Sequence, residues 1–266
     1  MMTHKIRPHH QRGIDNLIAE YENDDRFNAL IIGGSVAKGL AREDSDIDFM
    51  IVATDEEFAK RKSVGGLFIN RRDLTEYPNG YVDGKIINME YLGAVALKGN
   101  EPTRAAFDGA FVAYSKINGL DGVMKKISKY PEETRSKKLK AFYAMAFIQN
   151  WLMNEAERHG NIYTKTRAAS QLVLFCGRLI LTYNRKFFPY HKWFYDYLEM
   201  CSEKPESLKE KMDALLLDPN AKNAQGLFET VKDFQDWGVS DLEAYDWFMK
   251  DVEWAWMKND VSLEDW

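Results

Sequence analysis

One stretch constrains this chain more than any other: two apolar segments joined through Gly33-Gly34-Ser35, ten further residues, and then Asp46-Ile47-Asp48. Phe27 to Ile32 is a short apolar run ending at Gly33-Gly34, which reads as a buried strand meeting a tight turn. From Asp46 to Val52, Ile47, Phe49 and Ile51 alternate with Asp46, Asp48 and Met50, the period of a second strand. Between them lies a segment of the length of a short helix, with Ser35 at its start and Lys38 one turn later. The pattern therefore requires a strand, a turn, a helix and a strand within 26 residues, Phe27 to Val52.

Each polar residue of this unit has a chemical reading. Glycine at 33 and 34 permits a sharp turn and lets an anion approach main-chain N–H groups with no Cβ in the way. Ser35, at the opening of the helix, adds a hydroxyl where free N–H groups and the positive dipole end can hold a triphosphate, and Lys38 can face the same phosphates. Asp46 and Asp48 project from one face of their strand about 7 Å apart, while Ile47 and Phe49 enter the core. Two carboxylates on one rigid face repel unless a cation lies between them, and an all-oxygen pair suits Mg²⁺, which keeps substrate phosphates and water as its other ligands. Taken alone, a Gly-Gly-Ser turn is only a turn and an Asp-x-Asp pair a solvated strand end; it is their combination at this spacing that points to metal-dependent phosphate chemistry.

The rest of the chain gives this unit its setting. Gln11 to Tyr21 places Ile14, Leu17, Ile18 and Tyr21 at helical spacing. Lys85 to Leu92 reads as a third strand after the turn-rich Tyr77-Pro78-Asn79-Gly80, and Ala110 to Tyr114 as a candidate fourth. Beyond about Pro131, Gly and Pro become sparse and apolar residues recur every three or four positions. Helices are expected near 132–159, 164–186, 189–202, 206–216, 223–236 and 241–258, with breaks at Asn161 and Pro205. The expected architecture is an α/β (α+β) catalytic domain with a small mixed sheet over 1–128, followed by an all-α helical bundle over 129–266. Trp151, Tyr183, Phe187, Phe188, Trp193, Phe194 and Tyr197 are expected as bundle core, with a binding platform as the lesser reading.

Charge narrows the partners. A net charge of −5 gives no general attraction to a polyanion, so a small or neutral acceptor is favoured over nucleic acid. The two cysteines, Cys176 and Cys201, have neither metal-ligand spacing nor disulfide density and read as structural thiols. Met1 to Gln11 is polar, without the apolar stretch of a signal peptide, and no run approaches the ~20 apolar residues of a membrane span, so a cytoplasmic location is expected. His4, His9 and His10 show no metal-ligand spacing and receive no role.

Gly34-Ser35 followed by Asp46-Ile47-Asp48 resembles the signature of the DNA polymerase β-like nucleotidyltransferases, which include the aminoglycoside and lincosamide nucleotidyltransferases. Tyr81 to Lys85, Asn100 to Arg104, Asn184-Arg185 and Pro189 to Trp193 resemble a group of uncharacterised bacterial members. The resemblance implies transfer of a nucleoside monophosphate, AMP from ATP, to a small-molecule hydroxyl, with one or two Mg²⁺ ions held by Asp46 and Asp48. It also implies a third carboxylate on a neighbouring strand. Glu90 is the choice, because it falls within Lys85 to Leu92 and shares a face with Asn88. Asp83 is the runner-up, since Gly84-Lys85 could turn the chain away, and a solvated strand residue is the plain reading of Glu90. Nucleotide binding is assigned to Gly33, Gly34, Ser35 and Lys38. By the same resemblance Lys192 in the helical domain could close the nucleotide site, with Arg167 and Arg104 as weaker candidates; a surface lysine is the equal alternative. A catalytically silent nucleotide-binding or interaction module of the same fold is the alternative to an enzyme.

Overall fold

The computed structural model describes residues 6–258, so His4 lies outside the described residues. The chain divides into two compact units, Met1–Lys129 and Tyr130–Trp266. Unit one contains helix α1 (Pro8–Tyr21), strand β1 (Phe27–Ile32), α2 (Gly34–Lys38), β2 (Ile47–Ala53), α3 (Asp55–Ser63), β3 (Phe68–Arg71), β4 (Val82–Ile87), α4 (Met89–Lys98), α5 (Glu101–Ala105), β5 (Phe111–Ser115) and α6 (Leu120–Ser128). The strands form one mixed sheet in the order β3-β4-β2-β1-β5, in which β2 and β4 are the parallel pair and the other neighbours are antiparallel.

Both faces of the sheet are covered, which explains why β1 is apolar at every position but Asn28 instead of alternating. Leu30, Ile32, Phe49 and Ile51 pack with Ile14 and Leu17 of α1. On the other face Ala29, Ile31, Met50 and Val52 pack with Leu92 and Val95 of α4 and with Met124 and Ile127 of α6. Only the leading ends of β2 and β4 carry acids: Asp46, Asp48 and Asp83 are all partly exposed.

Several elements differ from the sequence expectation. The strand expected over Lys85 to Leu92 is instead the end of β4 and the start of α4. Asn88 breaks it, because its side-chain oxygen accepts from the Tyr91 N–H at 3.0 Å and caps the helix. α1 begins at Pro8, three residues early, with proline at a position where a missing N–H costs nothing. α3 and β3 were not anticipated.

Unit two is helical: α7 (Glu132–Arg158), α8 (Ile162–Tyr183), α9 (Phe194–Glu199), α10 (Leu208–Leu217), α11 (Ala221–Lys232) and α12 (Asp241–Phe248). The helix expected over 189–202 is reduced to one 3-10 turn, His191–Trp193, and α9, because Tyr190 takes a left-handed φ of 72°. The last expected helix ends at Phe248 and continues as a π turn, Met249–Glu253, and a 3-10 turn, Ala255–Lys258. Phe188, Phe194 and Tyr197 join Leu172, Cys176, Ile180 and Leu227 in one core, whereas Trp151 is exposed. Burial raises the thiol pKa of Cys176, and that of Cys201 to about 11, which suits inert structural thiols. Among the described residues no helix is long and apolar enough to cross a membrane.

Candidate active site

The site is built at the leading ends of β2 and β4. β1 ends at Ile32, and the Gly33 N–H donates to the Asp48 carbonyl at 2.9 Å, which ties the turn to β2. Gly34 enters α2 with φ of 59°, in the left-handed region that favours glycine. A Cβ on Gly34 would lie 1.7 Å from Asp48 Oδ2, so the Asp48 carboxylate rests directly on the turn. α2 stops at Gly39, which has φ of 73°, with the Leu40 N–H donating to Ser35 O at 2.9 Å. The chain then returns through an exposed loop, Arg42 to Asp44, to Asp46.

Asp48 and Asp83 are direct partners in the parallel pairing of β2 with β4. Neighbouring strands lie about 4.8 Å apart and opposed residues share a face, so these two carboxylates leave the sheet side by side. Asp46 precedes Asp48 by two residues, immediately before β2 begins. Burial, then the Asp46 charge, raises the Asp83 pKa above the usual carboxylate range. The Tyr81 hydroxyl hydrogen-bonds to Asp46, and this bond and the surrounding carboxylates raise its own pKa. Among the described residues no three acidic, histidine or cysteine side chains are already gathered as a metal centre. The donor set nevertheless has the chemistry a hard divalent cation takes, three carboxylates at the leading ends of two paired strands.

Glu90 is not part of this arrangement. It is an exposed residue in the first turn of α4, where a negative charge complements the helix N-terminus, and it lies beyond the end of β4. Asp83 takes the strand position proposed for Glu90. Gly84 does not turn the chain; it is a strand residue on which the Phe49 ring lies, and a Cβ there would be 2.2 Å from that ring. Asn88-Met89-Glu90, a capping residue with an acid following, is the helix-start signal that could have located Glu90 correctly.

The remaining residues sort by position. Ser35 is buried, and its hydroxyl has no hydrogen-bond partner among the described residues. Lys38 donates to Ala105 O at 3.1 Å; burial lowers its pKa, opposed by Asp108 and Asp48. It therefore acts as a countercharge to Asp108 and Asp48. Arg104 is structural: it is buried and donates to Gly99 O at 3.0 Å, Ala96 O at 3.0 Å and Ile127 O at 3.1 Å. Lys192 belongs to unit two, where it is exposed with Nζ 5.5 Å from the Trp193 ring centroid; Arg167, also exposed, lies on α8. His10, given no role from sequence, is fully buried and contacts Ser45 O, directly before Asp46.

Two family models match parts of the chain. Residues 22–91 match the nucleotidyltransferase domain family, so the first unit carries a nucleotidyltransferase domain of the DNA polymerase β-like superfamily. Residues 105–194 match a second family, a domain of unknown function (DUF4037). No curated protein matches the chain. The crystal structure of a nucleotidyltransferase-like protein from Exiguobacterium sibiricum 255-15 is similar at 10% identity, over 92% of this chain and 81% of that one, with a TM-score of 0.49.

Proposed function

We propose that this protein transfers a nucleoside monophosphate, AMP from ATP, onto the hydroxyl of a small molecule and releases pyrophosphate. Nucleotidyl transfer as the reaction class follows from the domain itself. The observation that carries the finer reading is the β2–β4 register, which sets Asp83 beside Asp48, with Asp46 two residues away.

In this reading Asp46, Asp48 and Asp83 hold Mg²⁺. The ion, when bound, neutralises charge on the triphosphate and stabilises the attacking and leaving oxygens of an in-line displacement. The acceptor oxygen forms a bond to the α-phosphorus, the bond from that phosphorus to the α–β bridging oxygen breaks, and pyrophosphate departs. Asp83 accepts the acceptor's proton. The Ser35 hydroxyl and the Gly33-Gly34 turn receive phosphate oxygens, which gives the orphaned hydroxyl its partner. Lys38 limits repulsion between Asp48 and the approaching triphosphate. A small acceptor is favoured by the acidic balance of the chain.

The test is pyrophosphate release from each of the four ribonucleoside triphosphates, with Mg²⁺ and a panel of hydroxyl compounds. The expected result is Mg²⁺-dependent release with ATP that is lost in Asp46→Asn/Asp48→Asn. A folded protein that neither binds any Mg²⁺–triphosphate nor releases pyrophosphate would return the chain to the silent-module reading.

A further inference from the structure

The loop that delivers Asp46 is held from outside the strand pair. Arg42, Glu43 and Asp44 are exposed and polar, the composition of a loop that moves freely unless fastened. Here it is fastened at several points, most of them to the start of α1. Arg7 Nε donates to Ala41 O at 3.3 Å and the Arg7 guanidinium pairs with Glu43. His10 Nε2 lies 3.1 Å from Ser45 O, and the Tyr77 hydroxyl donates to the same oxygen at 2.7 Å.

Two donors on one carbonyl occupy both of its lone pairs and fix the peptide plane between Ser45 and Asp46. That plane sets the direction in which the Asp46 side chain leaves the chain. A carbonyl only accepts, so His10 must carry its proton on Nε2; its buried Nδ1 then has no partner among the described residues. An orphaned buried nitrogen and a fully buried histidine both cost stability, so the arrangement is not one that packing alone would select. Burial, with the Asp46 charge, pushes the Tyr77 pKa up to about 12, which keeps its hydroxyl protonated and able to donate at neutral pH, and burial lowers that of His10, which favours the neutral ring. The surroundings are shaped to admit them. The His9 and His10 rings lie 4.6 and 5.2 Å from that of Tyr77. Gly80 leaves space for the Tyr77 ring, which a Cβ would meet at 2.7 Å, and Gly13 lets α1 approach Ile47, whose Cδ1 a Cβ would meet at 2.5 Å.

We infer that His10 and Tyr77 are positioning residues: through Ser45 O they hold Asp46 in the orientation from which it joins Asp48 and Asp83 in binding a divalent cation. The inference rests on the reading of those three acids as the ion site. Neither residue touches substrate or ion; their effect is transmitted through one peptide plane.

Mn²⁺ binding to the full chain, followed by calorimetry beside a thermal melt of each variant, separates the two readings. His10→Leu and Tyr77→Phe are each expected to weaken Mn²⁺ binding roughly three- to tenfold, the ratio that one hydrogen bond is worth. His10→Gln, whose amide can still donate to Ser45 O, is expected to recover most of that loss even where its melting temperature falls as far as that of His10→Leu. If Mn²⁺ binds the parent, is lost in Asp48→Asn and is unaltered in Tyr77→Phe and in folded His10→Leu, the positioning role is wrong while the ion site stands. If the parent and Asp48→Asn do not differ, the ion site itself is wrong, and the positioning role falls with it. Should His10→Leu fail to fold, Tyr77→Phe, which removes one oxygen, carries the comparison alone.

Discussion

A methyl group on Gly34 would meet Asp48 Oδ2 at 1.7 Å and would have to adopt a φ of 59°, so the two residues form a single device in which the turn supports the acid. Gly34→Ala is expected to lower stability by roughly 1–3 kcal/mol, the range for a strained backbone position, and to abolish Mg²⁺–triphosphate binding. A melt and a calorimetric titration of the same sample check both. Ser35 behaves differently, because its buried hydroxyl has no partner among the described residues. Ser35→Ala should leave the melting temperature unchanged or slightly higher, while costing about 1.5–3 kcal/mol of triphosphate affinity, one hydrogen bond to a charged group. Unchanged affinity would reduce Ser35 to a packing residue. The positions of Gly33, Gly34, Ser35, Asp46 and Asp48 were legible in the sequence because they are set by local pattern within 16 residues. Asp83 was less so, since its neighbour Asp48 is 35 positions away and is reached only through a parallel pairing, which no local period reveals. His10 was illegible for a similar reason: its partner, Ser45 O, is a main-chain atom of a distant loop.

Among elements, the long helices α7 and α8 begin and end within three residues of expectation, because apolar periodicity over 22 or more positions leaves little ambiguity. The β4–α4 boundary was missed because apolar residues run on across it, from Ile86 and Ile87 to Leu92, and only the Asn88 cap marks the change. The short α5 shows how a candidate site residue can turn out to be structural. Arg104 ties α5 to the ends of α4 and α6 through three carbonyls. Arg104→Met keeps the apolar stem but removes every donor, and is expected to cost at least ~2 kcal/mol, with triphosphate affinity of the folded fraction unaffected. Urea unfolding and ligand titration check the two halves of that statement. A large loss of affinity in fully folded protein would instead return Arg104 to the site.

At the scale of the molecule, each unit has its own core: two clusters flank the sheet of the first, and one fills the helical second. Residues 1–129 and 130–266 expressed separately are therefore each expected to melt cooperatively, as followed by far-UV circular dichroism. A non-cooperative melt of either would show that its core is incomplete without the other. Asp46, Asp48 and Asp83 all lie in the first unit, and the third of them separates the two candidate sites most sharply. The most direct measurement compares Mg²⁺-dependent pyrophosphate release by the parent, Asp83→Asn and Glu90→Gln under identical conditions. Asp83→Asn is expected to lower turnover at least about a hundredfold, the scale of a lost proton acceptor, because the variant can neither take the acceptor's proton nor complete the ion site. Glu90→Gln, a surface change on α4, should stay within about twofold of the parent. Turnover that survives in Asp83→Asn but collapses in Glu90→Gln would contradict the assignment of Asp83.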